Sequence, residues 1–211
     1  EQISRHGMEG IMEDRVNAAF AVWFSEVSFL PDDELASYEE QAWRYYELFS
    51  RTGITFPDVE FYMGRFLLRM GKETDGVLFF ERTLEKMEQY GGSSSLKTPN
   101  QLGLIYNVLQ AWYKEQGDAR KAVYYGTLSL RFNRYQEETL ARLLATFKND
   151  QNTTAEQVYG FLAGMYRFEN LKDKLFVLKT AMKIEYKELE ERVRRCLTEN
   201  ELDWLESGQG N

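Results

Sequence analysis

Apolar residues recur at three- and four-residue steps along nearly the whole chain, and no segment alternates apolar with polar residues as a half-buried strand does. The pattern predicts an all-α fold. Pro31, Pro57 and Pro99, the only three prolines, stand at predicted helix boundaries. Val16, Phe20, Trp23, Phe24 and Val27 form the apolar face of a first helix, and Leu35, Ala42, Trp43, Tyr46 and Phe49 that of a second, so residues 9–52 read as a helical hairpin. Residues 139–147 read as another helix, ended by Lys148, Asn149 and Asp150. Thr154 with Gln157, and Thr153 with Glu156, offer overlapping capping boxes for the helix that follows. Tyr186, Leu189, Val193 and Cys196 mark one face of a solvated capping helix over 187–206, with Glu188 and Arg192, and Glu191 and Arg195, as i,i+4 pairs on the other.

The most regular stretch is 57–90. Met63-Gly64, Leu67, Gly71, Gly76 and Phe80 fall where a helix-turn-helix unit needs a small residue in each helix, a turn glycine and an aromatic wedge. Glycine at 64 and 76 lets two antiparallel helices approach closely while Phe80 fills the space beside them. A shift of 46 positions (103 minus 57) places Leu109, Tyr113, Gly117 and Ala122 in the slots of Met63, Leu67, Gly71 and Gly76, with Tyr106 in the tryptophan slot of the first helix, so 103–136 is a second unit. It departs from the pattern at Gln110, in a small slot, and Gly126, in the aromatic slot. Gly91 to Ser95 supplies a flexible loop at the junction, and Thr98-Pro99-Asn100-Gln101 is a strong helix start. A third window, 156–189, keeps Tyr159, Leu162, Ala163 and Tyr166 but has Leu175 and Lys179 in the small and aromatic slots. It is a degenerate unit.

These residues resemble the tetratricopeptide repeat family, and the resemblance implies an antiparallel helix-pair solenoid over 9–206, with 1–8 a linker or the tail of a preceding domain and 207–211 a flexible tail. It further implies an interaction module that takes a peptide or protein in a concave groove built from the first helix of each unit. Slot by slot, Phe61, Arg65 and Arg69 come from the first unit, Asn107, Ala111 and Lys114 from the second, and Gly160, Gly164 and Arg167 from the third, with Phe168 beside them. Phe61 and Phe168 are the aromatics expected on the open face. Asn107 lies close to where some family members hold a peptide carboxylate, and the basic residues favour an acidic segment, although the lysines of a full carboxylate clamp are not in their usual places. The alternative is an accessory region of a larger enzyme, as in bacterial family 2 glycosyltransferases, where helical repeats follow the catalytic domain. A peptide-sensing region of a regulator is a third reading.

Composition narrows the chemistry. With 211 residues, 43% apolar and 15% aromatic, the chain can bury a continuous core without metal or disulfide. His6 and Cys196 are the sole histidine and cysteine and lie near opposite ends, which disfavours a zinc site or a Cys-His pair. No Asp-x-Asp motif or phosphate loop is present, so no catalytic residue and no cofactor is expected. The formal charge of −8, without a basic block, argues against general binding of nucleic acid. No apolar run reaches the length of a membrane span, and one cysteine fits a reducing, cytoplasmic setting. The chain begins with Glu1 rather than methionine, as a processed protein or fragment would.

Overall fold

A computed structural model describes residues 15–16, 18–51, 57–90 and 99–206, and among these every regular element is helical. The linker 1–8, the loop glycines and serines of 91–95, the capping Thr98 and the tail 207–211 lie outside the described residues. The chain divides into two compact units, Glu1–Thr98 and Pro99–Asn211, each with its own core.

In the first unit, α1 (18–28), α2 (Asp32–Leu35), a 3₁₀ turn (Ala36–Tyr38), α3 (Glu39–Arg51), α4 (Pro57–Arg69) and α5 (Glu73–Tyr90) follow in order. Phe24, Val27, Leu35, Ala42, Phe49, Met63, Phe66 and Phe79 meet in one core. Val16, at the edge of the first predicted face, is instead exposed. Helices α4 and α5 are tightly paired, and the sequence shows why. A β-carbon on Gly64 would stand 2.8 Å from the Phe80 ring and 3.1 Å from the Gly76 carbonyl, and one on Gly76 would meet Leu68 at 2.5 Å. Only hydrogen fits there. Phe80, fully buried, fills the wedge and stacks on Phe61 with centroids 5.7 Å apart. Glu60, wholly buried on α4, ties three helices together: the Tyr46 hydroxyl of α3 donates to both its carboxylate oxygens at 2.9 Å, and Lys86 of α5 pairs with it. Burial and the adjacent Glu60 charge push the Tyr46 phenol upward, keeping it a proton donor.

The second unit contains α6 (Pro99–Glu115), α7 (Ala119–Phe132), α8 (Glu137–Asn149), α9 (Ala155–Ala163), α10 (Leu171–Lys183), α11 (Lys187–Arg194) and α12 (Glu199–Glu206). Helices α6 and α7 form its tightest pair, and the two departures noted in the sequence are one feature. A β-carbon on Gly126 would stand 2.3 Å from the Gln110 amide nitrogen, so the large residue sits on the first helix and the small one on the second. This reverses the Gly64–Phe80 arrangement. A large residue still faces a glycine, while the chemistry changes from apolar to amide. Beside this contact Phe132, Tyr106, Tyr125 and Tyr113 form a ladder of near-parallel rings at centroid distances of 5.9, 6.2 and 5.7 Å.

The α4–α5, α6–α7 and α10–α11 turns are closed in the same way. Gly71, Gly117 and Glu185 take left-handed φ of 72°, 77° and 56°, and the next amide reaches back five residues: Lys72 to Leu67, Asp118 to Tyr113 and Tyr186 to Ala181. Gly117 and Glu185 are 68 residues apart, twice 34, and the α8–α9 turn at Gln151–Asn152 lies midway. Window 156–189 joins α9 and α10 as one unit in the sequence reading, yet α10 packs on α8 and α11, and α9 chiefly on α11. Helix α8 packs on α7, α10 and α6, so it belongs to the same layer as α6 and α10. The capping helix expected over 187–206 is broken at 195–198, where Thr198 and Glu201 form a reciprocal cap that starts α12. Glu201 also accepts from buried Lys174 at 2.8 and 3.0 Å, which fixes α12 to α10 and holds the glutamate below its ordinary value. Arg192, expected to pair with Glu188, reaches across to Glu156 on α9.

Gly64→Leu should destabilise the protein by about 1–3 kcal/mol through overpacking. Gly126→Phe should do the same, and adding Gln110→Gly should restore part of the loss, a favourable coupling of about 0.5–3 kcal/mol in denaturant titrations; additive losses would show that the two positions do not share space. Glu185→Gly should raise stability by roughly 0.5–1 kcal/mol, because relief of left-handed strain exceeds the added chain entropy. A loss would mean that the Glu185 side chain contributes more than its backbone costs.

Candidate functional site

The residues proposed for a single concave face fall in both units, and the structure gives most of them local partners. On α4, Phe61 is 1% exposed and packed against Phe80, so it is a core residue and not on an open face. Helices α1–α3 bring further chain against α4: the Arg65 guanidinium lies 3.7 Å from the Phe29 ring centre, and Arg69 donates to the Ser28 carbonyl at 2.7 Å and to Asp32 at 2.5 Å. Burial, with the Arg69 charge nearby, lowers the Arg65 guanidinium from its ordinary value. In the second unit, Arg167 donates its backbone amide to buried Asp173 at 2.8 Å, and Phe168 stacks on Tyr159 at 4.5 Å. Both lie beyond the end of α9, outside the α6–α8–α10 layer. Gly160 is on α9 and exposed.

Asn107 and Lys114 are placed differently. They stand on the side of α6 that meets α8, where a polar cluster joins the two helices. Arg142 of α8, half-buried, donates to the Gln110 side-chain oxygen at 3.1 Å and to the Asn107 oxygen, while Gln110 donates to the Thr139 carbonyl at 3.0 Å. The Thr139 hydroxyl also approaches Asn107 at 3.4 Å. Burial lowers the Arg142 guanidinium from its ordinary value, with the Glu138 and Glu115 charges opposing that shift. The Asn107 oxygen is therefore held by an arginine of the same chain, and Asn107 with Arg142 forms the floor of the surface. Lys114 lines a cavity of about 350 Å³ with Gly117, Thr146, Asn149 and Asp150.

Helical spacing sets the outward positions of this layer. They are Leu104 and Ala111 on α6, Glu138, Ala141 and Ala145 on α8, and Lys172, Leu175 and Lys179 on α10. Alanines line the centre, with lysines at the edges and the exposed carboxylate of Glu138 on α8, in a chain whose formal charge is −8. Small central side chains leave room for a segment to lie against the helices, and basic edges attract negative charge. Two more cavities flank Phe132 and Asn133. One of about 200 Å³ is lined by Asn100, Gly103, Leu104, Asn107 and Gln136, and one of about 630 Å³ lies between α7 and α9. The sequence names Asn107, Ala111 and Lys114 on this side of α6, and does not name Arg142, Ala141 or Ala145 on α8, because α8 falls outside the three repeat windows.

No group of three or more His, Cys, Asp or Glu side chains among the described residues is arranged to hold a metal ion. No described helix is long and apolar enough to cross a membrane.

Arg142→Met, which keeps the length of the stem and removes the guanidinium, should cost about 1–3 kcal/mol, since Asn107 and Gln110 lose a charged donor inside the layer. Chemical denaturation checks this, and an unchanged midpoint would mean that the cluster does not join α8 to α6. Comparison with protein-family models, with curated proteins and with solved structures finds no match to this chain.

Proposed function

We propose that the chain is a tetratricopeptide-like interaction module, and that its second unit takes an acidic peptide segment of a protein partner along the layer formed by α6, α8 and α10. The carrying observation is the outward face of that layer. Ala111, Ala141 and Ala145 form a shallow central strip; Lys114, Lys172 (over the Tyr135 ring) and Lys179 stand around it, with Glu138 the one carboxylate among its outward positions named above. Cationic side chains form stronger hydrogen bonds with carboxylates than neutral donors do, so the three lysines favour an acidic segment over a basic one. The recurrence of turns at 117, 151–152 and 185 supports reading this unit as successive helix pairs rather than as an irregular bundle.

In this proposal the first unit supplies no ligand contacts, since Phe61 is buried and Arg65 and Arg69 hold α4 to the α1–α2 segment. Asn107 contributes through Arg142, and Lys114 through its exposed ammonium.

A panel of acidic and basic peptides titrated against the full chain tests the reading. Acidic members should bind at least about tenfold more tightly than basic ones, and Ala145→Glu, which adds bulk and negative charge on the central strip, should reduce that binding about tenfold or more without lowering the melting temperature. Equal binding of both classes, or unaltered binding by Ala145→Glu, would reject the layer as the site.

A further inference from the structure

We propose that the cleft between α7 and α9 is a separate binding site for a small organic anion, one carboxylate or phosphate group carried on an apolar body. This goes beyond the peptide-binding layer and involves none of its outward positions. The cleft, about 630 Å³ and open to solvent, has room for a small ligand, and apolar and cationic residues line it beside Thr127, Asn133 and Gly164. Leu130, Phe132, Phe161 and Met165 give it apolar walls, and Arg131 and Arg134 bring two guanidinium groups, while no carboxylate residue lines it.

The opening has a structural origin. Helix α9 is only nine residues long and packs chiefly on α11 rather than on α7, so the ends of α7 and α9 stand apart. Hydrogen bonding around the 133–136 loop occupies acceptors that would otherwise pair with the two guanidinium groups. The Asn133 carbonyl already accepts from the Gln136 side chain at 2.9 Å, and the Arg134 carbonyl accepts from the Tyr166 hydroxyl at 2.5 Å. The Thr127 hydroxyl donates to the Val123 carbonyl at 2.7 Å and the Asn133 side-chain oxygen accepts from the Tyr135 amide at 3.1 Å. Carbonyl oxygens that would compete for the cations are thus engaged. Of the two arginines, Arg134 is partly neutralised by buried Asp173 at 3.4 Å, whereas Arg131 makes no ion pair among the described residues. Arg131 is the anchor for the anionic group, and the Phe132 and Phe161 side of the cleft takes the apolar body. A purely polar anion would leave that wall uncovered, and a neutral apolar molecule would leave Arg131 without its counter-charge.

Isothermal titration calorimetry on the full chain with 1-naphthyl phosphate and 1-naphthylacetate tests this, with inorganic phosphate and 1-naphthalenemethanol as the two half-ligands. At least one of the naphthyl anions should saturate a single site, with inorganic phosphate and the neutral alcohol each at least about tenfold weaker. Arg131→Gln should weaken the anion about tenfold or more, Arg131→Lys should recover part of the loss, and Arg120→Gln, an exposed change on the same helix, should have no effect. Whichever anion binds better identifies the head group. Failure of both to bind saturably, equal binding of the alcohol, or binding indifferent to Arg131→Gln would overturn the proposal. Because these probes do not report on the α6–α8–α10 layer, their failure leaves peptide binding to be judged by its own titration.

Discussion

Close approach of paired helices is the constraint on which the rest of this structure depends. Two helices can come within reach of each other's backbone only where one side chain of a facing pair is reduced to hydrogen, and the chain meets that condition in two opposite ways. In the first unit Gly64 yields to Phe80, and in the second Gly126 yields to Gln110. Each contact sets one large side chain against a glycine, so both hairpins close. The chemistry left at the contact differs, and that difference determines what each hairpin can be joined to. Phe80 ends in the core beside Phe61. Gln110 presents an amide at the α6 surface, where it donates to Thr139 and accepts from Arg142.

From that amide the second unit is extended. Arg142 and Thr139 are both on α8, so the side chain that takes up the space of Gly126 also attaches the next helix of the layer. Helix α8 then carries α10 on its other side, and buried Lys174 of α10 holds α12 through Glu201. A buried amide or ammonium is costly unless its partners are in place, which makes each of these joins selective for one arrangement of the helices. The outward face of the layer, with its small centre and basic edges, follows from the way α6, α8 and α10 are held side by side.

Much of the architecture was legible in the residues. The all-α class follows from three- and four-residue apolar spacing, and the α4–α5 and α6–α7 pairs from glycine, leucine and aromatic slots 46 positions apart. The capping box at Thr154 and Gln157 is present as read. What the residues did not convey was the role of α8. Its turn has Gln151 and Asn152 where glycine would be recognised, and the α10–α11 turn uses Glu185 in a left-handed conformation that side chains other than glycine seldom adopt. Lys174 is buried through its pairing with Glu201, and a lysine gives no signal of burial in the residues themselves. Phe61 illustrates the opposite difficulty: the family resemblance implied an open face for it, but the ring it meets, Phe80, is 19 residues away on the next helix.

The position of α8 between α6 and α10 can be measured directly by paramagnetic relaxation. A nitroxide attached at Ala145→Cys, with Cys196→Ser to remove the native thiol, should broaden the amide signals of α6 around residues 107–111 and those of α10 around 175–179 in the full chain. Broadening on both helices would place α8 within the layer that the account requires. Broadening confined to α9, with α6 and α10 unaffected, would contradict it.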